Sequence, residues 1–176
     1  LIKSDTVGIQ LKGTFVDEVV MTIWIIGICN SINFFDNLDG GAAGTVAVST
    51  IGIGLIALGE GQELIAALAI VTAGSTIGFL MWNRSPAKIY MGDTGSQFLG
   101  VFLAATSIFL FWNERTETSG IIQIKQFVLP LLIFIVPLTD TLTVLIRRSM
   151  KKQSPFVGGK DHITHHLVFF GFTERQ

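Results

Sequence analysis

The sequence has few charged residues and a single cysteine. Charged side chains make up 14% of the 176 residues, whereas a typical soluble domain carries about 25%. Cys29 has no second cysteine with which to form an internal disulfide, so it is most simply a packing residue. The formal net charge of −1 excludes the basic composition that is typical of nucleic-acid-binding proteins.

Long apolar runs occupy most of the chain instead, and the mean hydropathy is +0.61. This composition predicts an all-α, polytopic transmembrane helical bundle that forms a single membrane domain. Residues 1–17 are predicted to be an external loop or hairpin, and residues 147–166 a cytoplasmic loop. The five predicted spans are residues 19–35, 41–58, 64–81, 98–112 and 127–146.

The distribution of Lys and Arg predicts the orientation of the bundle. Five spans put the loops at 36–40, 83–96 and 147–166 on one side of the membrane. That side holds seven basic residues and the opposite side four, so the positive-inside rule makes the first side cytoplasmic. Three polar stretches, at 33–41, 83–96 and 160–166, therefore meet at the cytoplasmic face.

The first polar stretch ends the first span. Asn33 and Asn37 lie four residues apart and share one helical stripe, and Asp36 and Asp39 lie beside it. Polar groups at membrane depth are costly and usually functional, although a polar seam between helices is an alternative. Because two carboxylates at a helix C-terminus oppose the helix dipole, we expect a metal ion or ligand donors to offset them.

The second polar stretch contains Asp93 between two glycines. A carboxylate beside flexible backbone is suited to Mg²⁺ and phosphate. The alternative is a polar turn in which Asp93 caps the helix that starts near Thr94.

Four neighbouring side chains add binding capacity to this stretch. An amide at Asn83 can both donate and accept, as base recognition requires. Arg84 and Lys88 could hold phosphate or simply anchor the chain at the membrane surface. Tyr90 could stack on a base or mark the interface.

The third polar stretch groups all three histidines of the chain. His162, His165 and His166 have the spacing of one helical turn and could hold a diphosphate together with Lys160. A zinc site and a solvated segment near the membrane are the alternatives. Asp140, inside the fifth predicted span, either pairs with a basic neighbour or faces the site.

Taken together, these stretches resemble the bacterial polyprenyl-phosphate N-acetylhexosamine-1-phosphate transferases, glycosyltransferase family 4. The resemblance rests on an ordered set of motifs: Asn-x-x-Asp-x-x-Asp-Gly at 33–40, Pro-Ala-Lys-Ile-Tyr-Met-Gly-Asp-Thr-Gly-Ser at 86–96, Pro-Leu-Thr-Asp-Thr at 137–141, Arg-Arg at 147–148, Ser-Pro-Phe at 154–156 and the histidines. The Asp-Thr, Arg-Arg and Ser-Pro-Phe motifs resemble the GlcNAc-type branch of the family more than the phospho-MurNAc-pentapeptide translocases. Asn37 replaces a common glycine, and the spacing of His162 differs from that of many members.

The resemblance implies the reaction and the partners. A polyprenyl (undecaprenyl) phosphate attacks the sugar-linked phosphorus of a UDP-N-acetylhexosamine, and UMP leaves. This would be the first membrane step of cell-envelope polysaccharide synthesis, in the inner (plasma) membrane with the site facing the cytoplasm. Mg²⁺ is the implied cofactor, with Mn²⁺ as a substitute. Membrane lipid is a further partner, nucleic acid is not expected, and a homodimer is an open alternative for the assembly.

The resemblance also assigns roles to residues. Asp93 would bind the metal. The implied catalytic residues are Asp93, Asp36, Asp39, His162, His165 and His166. The implied substrate-binding residues are Asn33, Asn83, Tyr90, Lys88, Arg84 and Lys160.

Two further expectations complete the sequence interpretation. The family's upstream aspartate pair is not in this sequence, so we expect the chain to be part of a longer protein and the site within residues 1–176 to be half built. The alternative function is an ion-coupled transporter, which would place carboxylates near the bilayer midplane.

Overall fold

The computed structural model describes residues 14–112, 124–152 and 154, and within these ranges the chain is helical without strands. This confirms the predicted all-α class. Four of the helices are long and apolar enough to cross a membrane, and a bent pair can be counted as a fifth span. The described helices are α1 Thr14–Phe35, α2 Gly41–Gly59, α3 Glu63–Asn83, α4 Gly92–Phe111, α5 Ile124–Ile133 and α6 Ile135–Met150.

Helices α2 and α3 form a hairpin that packs through small side chains. Ala57, Ala66 and Ala69 are almost completely buried. A Cβ at Gly54 would lie 3.5 Å from the Cβ of Ala69, so the two helices are in ordinary van der Waals contact there. Small residues allow this approach, which drives helix association in lipid, where apolar burial alone gives little.

Helices α1 and α4 pack antiparallel along most of their lengths. At the end distant from the loops, the Trp24 indole Nε1 donates to Ser107 Oγ at 2.9 Å. Near the middle, a Cβ at Gly100 would lie 2.7 Å from the Cα of Cys29, so the backbones touch there. This contact positions the residues that lie one turn further toward the loops.

The predicted fifth span, residues 127–146, is a bent pair of helices and not one continuous helix. Helices α5 and α6 are bent by 81° at their junction. Pro137 has no N–H to donate to the carbonyl of Ile133, and its ring clashes with that carbonyl in a regular helix. The Ile133 carbonyl instead accepts a hydrogen bond from Ser49 Oγ at 3.1 Å. A proline and a hydroxyl on a neighbouring helix therefore account for the bend.

The bend lies beside an apolar cavity of about 290 Å³ between α1, α4, α5 and α6. Trp24 packs against Trp112 and Phe134, with ring centroids 5.5 and 5.9 Å apart. The lining residues are Val20, Ile23, Trp24, Gly27, Ile28, Trp112, Phe127, Pro130, Leu131 and Leu138.

Three predicted boundaries need correction. Residues 14–17, predicted as loop, form the first turn of α1, and residues 1–13 lie outside the described part. Helix α4 begins at Gly92, six residues before the predicted span. Helix α6 continues to Met150, so residues 147–150 are helical and not loop. A helix can extend past the apolar window because its backbone satisfies its own hydrogen bonds in water as well as in lipid.

The bend generates a stability prediction. Ser49→Ala removes the hydroxyl that donates to the partly buried Ile133 carbonyl, an acceptor to which Pro137 has no N–H to offer. Leaving a buried acceptor unsatisfied costs about 1–3 kcal/mol, so the variant should unfold at a lower temperature in detergent. Ser75→Ala is the matched control, because Ser75 is exposed and bonds only within its own helix. Equal melting of the two variants would contradict this explanation of the bend.

The positive-inside count generates a topology prediction. In a Cys29→Ser background, Ser85→Cys should react with a membrane-impermeant thiol reagent only after cell lysis. Glu60→Cys, at the opposite end of the α2–α3 hairpin, should react in intact cells. Labelling with the opposite pattern would reverse the orientation.

Candidate functional site

Two short loops meet at one end of the bundle. The first loop, residues 36–40, joins α1 to α2, and the second loop, residues 84–91, joins α3 to α4. The backbone N–H of Gly40 donates to Asn83 Oδ1 at 3.0 Å. A second hydrogen bond has its donor in the second loop and its acceptor in the first: the backbone N–H of Ala87 donates to Asp39 Oδ2 at 2.8 Å. Two of the three polar stretches in the sequence therefore lie in direct contact.

Asn83 is the last residue of α3 and is only 3% exposed. Its Nδ2 donates to the carbonyl of Ile89 at 2.9 Å, while its Oδ1 accepts from Gly40. Gly40 has a φ of 77°, and a Cβ there would lie 3.2 Å from the Cδ1 of Leu80, closer than most side chains approach each other. Both the left-handed backbone and the close approach favour glycine at this position.

A second contact joins α1 to the start of α4. Asn33 Nδ2 donates to Asp93 Oδ1 at 3.2 Å and to Ser96 Oγ at 2.9 Å. Ser96 is completely buried, and its hydroxyl lies within hydrogen-bond distance of the Gly92 and Asp93 carbonyls. The sequence interpretation did not single out Ser96. Its spacing of three from Asp93, one helical turn, was the available signal.

The carboxyl group of Asp36 has a shifted pKa. Burial raises the pKa of Asp36 above its usual value, and the negative charge of Asp93 raises it further. Asp36 directly follows the C-terminus of α1, whose last turn contains no basic residue. The dipole of α1 therefore also disfavours the ionised form, and a cation beside these two groups would relieve the repulsion.

Asp93 itself is exposed and lies in the first turn of α4. The interpretation of Asp93 as a helix cap is wrong, because α4 begins at Gly92 and the helix start has no side-chain cap. In residues 14–112, 124–152 and 154, no three His, Cys, Asp or Glu side chains form a metal cluster. One or two carboxylates fit Mg²⁺, which keeps several waters and takes phosphate oxygens from substrates.

Cationic and aromatic side chains surround the second loop. Arg84 is exposed. The Nζ of Lys88 lies 5.3 Å from the centroid of the Trp82 ring, a cation–π contact at the end of α3. Tyr90 is 76% exposed and its ring is available for stacking.

The remaining predicted site residues lie beyond this pair of loops or outside the described part of the chain. His162, His165, His166 and Lys160 lie outside the described residues. Asp140 is 1% exposed on the buried face of α6. Both alternatives for Asp140, an ion pair and a role in the site, stay predictions.

The fold and the site define a polytopic helical membrane protein that presents carboxylates and amides where its helices end. The chain belongs to glycosyl transferase family 4, whose sequence model matches residues 4–111.

Three relatives illustrate the membership. A probable undecaprenyl-phosphate N-acetylglucosaminyl 1-phosphate transferase of Bacillus subtilis is 42% identical over 88% of this chain and 41% of its own length. A decaprenyl-phosphate N-acetylglucosaminephosphotransferase of Mycolicibacterium smegmatis is 32% identical, over 92% of this chain and 43% of its own length. A phospho-N-acetylmuramoyl-pentapeptide-transferase of Levilactobacillus brevis is 42% identical over 89% of this chain and 44% of its own length. The chain thus spans about two fifths of the length of these relatives, and identity alone does not separate the two branches.

The close contact of α1 and α4 generates a prediction for the site. Gly100→Ala would place a Cβ 2.7 Å from the Cα of Cys29, and backbone cannot move aside as a flexible side chain can. Overpacking costs about 1–3 kcal/mol, and separating the helices should also lengthen the contact of Asn33 with Asp93. We therefore expect a lower melting temperature and reduced activity in the complete protein.

Gly74→Ala is the matched control, because a Cβ at Gly74 in α3 meets nothing within 4 Å. It should melt at or slightly above the wild-type temperature, since Ala favours helix over Gly. Equal stability of the two alanine variants would show that α1 and α4 do not need the close approach.

Proposed function

We propose that the complete protein transfers N-acetylhexosamine 1-phosphate from a UDP-sugar to a polyprenyl phosphate and releases UMP. The transfer takes place at the cytoplasmic face of the plasma membrane. The phosphate oxygen of the lipid forms a bond to the sugar-linked phosphorus, and the bond from that phosphorus to the UMP oxygen breaks.

One observation carries this proposal: Asn33, near the end of α1, donates a hydrogen bond to Asp93 at the start of α4, and the charge of Asp93 acts on Asp36. The printed names of the relatives describe transfer of a sugar phosphate to undecaprenyl or decaprenyl phosphate. In such a transfer, charge spreads over the phosphoryl oxygens, and positioning and charge neutralisation supply most of the catalysis. A pair of coupled carboxylates facing the aqueous side is suited to hold the cation that this neutralisation requires.

Asp93 and Asp36 are the residues that would hold Mg²⁺, or Mn²⁺ in its place. When bound, the cation would supply positive charge that neutralises the charge of the diphosphate. Asn33 keeps one Asp93 oxygen in a fixed direction and leaves the remaining carboxylate oxygen for the cation. Two protein carboxylates would be enough, because Mg²⁺ sites in proteins typically use only one or two.

Arg84, Lys88 and Tyr90 are proposed to contact the nucleotide sugar. Arg84 is exposed and can donate two parallel hydrogen bonds to a phosphate. Lys88 can leave the Trp82 ring for a phosphate, because an exposed cation–π contact is worth only about 0.5–1 kcal/mol. Tyr90 offers an exposed ring for the base. The histidines and Lys160 remain proposed diphosphate or sugar ligands by resemblance to the family.

An ion-coupled transporter is the second candidate, and one observation favours it. Transporters form their ion sites at discontinuous helices, and intramembrane carboxylates mark ion pathways in many of them. Asp140 is such a buried carboxylate, and it follows the break between α5 and α6. Release of UMP without uptake of labelled cations into proteoliposomes would support the transferase, and the reverse result would support the transporter.

Asp93→Asn tests the proposed transferase in the complete protein. The amide keeps the shape of the side chain but loses the charge that holds a hard cation. Loss of one charge-stabilising group typically costs about 10²–10³ in rate, and loss of a metal ligand can cost more. We therefore expect Mg²⁺-dependent UMP release to fall by at least about a hundredfold, while expression and melting stay near wild type.

Glu60→Gln is the matched control, because it removes one exposed carboxylate at the opposite end of the helices. Its UMP release should equal that of the wild type. Near-normal turnover by the Asp93→Asn variant would remove Asp93 from the site, and absence of any UMP release from the wild type would refute the proposed reaction.

A further inference from the structure

We propose that Ser96 is a positioning residue, whose buried hydroxyl fixes the Asn33 amide and, through that amide, the direction of the Asp93 carboxylate. The inference deepens the proposed function and rests on its cation site, but its test can be read without turnover. Ser96 is completely buried, so it does not itself contact a substrate or a cation. Any effect of Ser96 on the site must therefore pass through the side chain that it touches.

A buried stripe of α4 determines where Ser96 lies. Its members are four, three and four residues apart, the spacing of one helix face: Ser96, Gly100, Leu103 and Ser107. Gly100 brings the backbones of α4 and α1 into contact at Cys29. One turn nearer the loops, the short side chain of Ser96 is therefore within reach of Asn33 on α1.

The Ser96 hydroxyl uses its donor and its acceptor on different helices. Its Oγ lies 3.1 Å from the Gly92 carbonyl and 3.3 Å from the Asp93 carbonyl, so its hydrogen stays within α4. Its lone pair accepts from Asn33 Nδ2 at 2.9 Å. One hydroxyl thus links the first turn of α4 to α1.

Two acceptors fix the orientation of the Asn33 amide. Nδ2 donates to Ser96 Oγ at 2.9 Å and to Asp93 Oδ1 at 3.2 Å. Because both partners accept, the nitrogen end of the amide must face α4. The Ser96 bond is the shorter one and is partly buried, whereas the Asp93 bond is exposed and water can compete for it. The Ser96 bond therefore holds the amide in place, and the Asp93 bond depends on it.

A fixed Asp93 carboxylate matters for the proposed cation site. Mg²⁺ demands near-ideal octahedral geometry, so a carboxylate that changes direction binds it less well than one already in place. Groups that orient a metal ligand typically change metal affinity or activity by about 10–100-fold when they are removed. Without the Ser96 hydroxyl, the Asn33 amide can turn away and Asp93 loses its fixed direction.

Ser107 is a matched control on the same pair of helices. Its Oγ accepts from the Trp24 indole of α1 at 2.9 Å and donates to the Ala104 carbonyl of its own helix. It is 1% exposed. Eleven residues, about 16 Å along a helix, separate it from Ser96. Removing either hydroxyl should therefore cost similar stability, but only Ser96 lies next to the proposed cation site.

The first test measures Mn²⁺ binding to the complete protein by electron paramagnetic resonance, without substrates. The ions that count are those that the Asp93→Asn variant fails to bind, so carboxylates elsewhere do not contribute. Ser96→Ala should raise the Kd for Mn²⁺ by about tenfold or more, and Ser107→Ala should leave it unchanged. Both alanine variants should melt below the wild type by similar amounts, because each leaves one donor on α1 without its acceptor.

The second test measures UMP release from UDP-GlcNAc in the presence of polyprenyl phosphate. In the Ser96→Ala variant, the Mg²⁺ concentration for half-maximal release should rise by about tenfold or more. The KM for UDP-GlcNAc at saturating Mg²⁺ should not change, because the hydroxyl does not contact the nucleotide. A rise in this KM with a wild-type requirement for Mg²⁺ would overturn the proposal.

The Mn²⁺ titration separates the other outcomes. Wild-type binding by Ser96→Ala overturns the proposal, and so does equal weakening by Ser96→Ala and Ser107→Ala, which would show a general loosening of α1 from α4. A wild-type protein that binds no Mn²⁺ at Asp93 overturns it as well. If the wild type binds Mn²⁺ but releases no UMP, the proposed function fails, and the titration still decides the role of Ser96.

A second substitution covers the case in which Ser96→Ala does not fold. Ser96→Cys replaces the hydroxyl by a thiol, whose sulfur is only a weak acceptor. It should bind Mn²⁺ more weakly than the wild type does. Wild-type Mn²⁺ affinity in the Ser96→Cys variant would overturn the proposal.

Discussion

The arrangement of the site depends on the close contact between α1 and α4. A Cβ at position 100 would lie 2.7 Å from the Cα of Cys29, which is too close for a side chain. Glycine at this position therefore allows the two helices to pack in contact. One helical turn nearer the loops, Asn33 on α1 reaches Asp93 and Ser96 on α4. A wider separation would leave the Asn33 amide without its partners and the Asp93 carboxylate without a fixed direction. The lack of a side chain at Gly100 thus helps to set the position of the Asp93 carboxylate at the end of the bundle.

Polar groups at the ends and breaks of the helices are satisfied by partners from elsewhere in the sequence. The Gly40 N–H bonds to Asn83, the Ala87 N–H to Asp39, and the Ile133 carbonyl to Ser49. Lipid offers no hydrogen bonds, so an irregular backbone at membrane depth persists only where protein groups replace water. The same bonds restrict the loops and preorganise the carboxylates. Preorganisation is what phosphoryl transfer requires, because most of its catalysis comes from fixed charges and correct alignment.

In this chain the helices form a scaffold, and the candidate site lies on the loops and helix ends. The match to glycosyl transferase family 4 covers both parts. The family model covers residues 4–111, which contain α1 to α4 and both loops. The coupled carboxylates lie within this matched region, whereas the bent pair α5–α6 follows it. Asp36 and Asp93 lie on opposite sides of the α2–α3 hairpin in the sequence, and the packing of α1 against α4 brings the end of α1 to the start of α4.

The sequence by itself determined the helical class, the approximate spans, and the two polar stretches that contain Asp36 and Asp93. These features follow from local composition, because each apolar segment must satisfy its own backbone in lipid. Only the tertiary structure decided that Asn83 is buried between two loops, that Ser96 supports Asn33, and that the fifth span bends. Pro137 has no N–H for the Ile133 carbonyl, and the group that bonds to this carbonyl is the Ser49 hydroxyl, 84 residues away in the sequence. Such contacts depend on which helices pack together and on their relative position along the helix axis. The periodicity of one segment contains no information about the register of its partner.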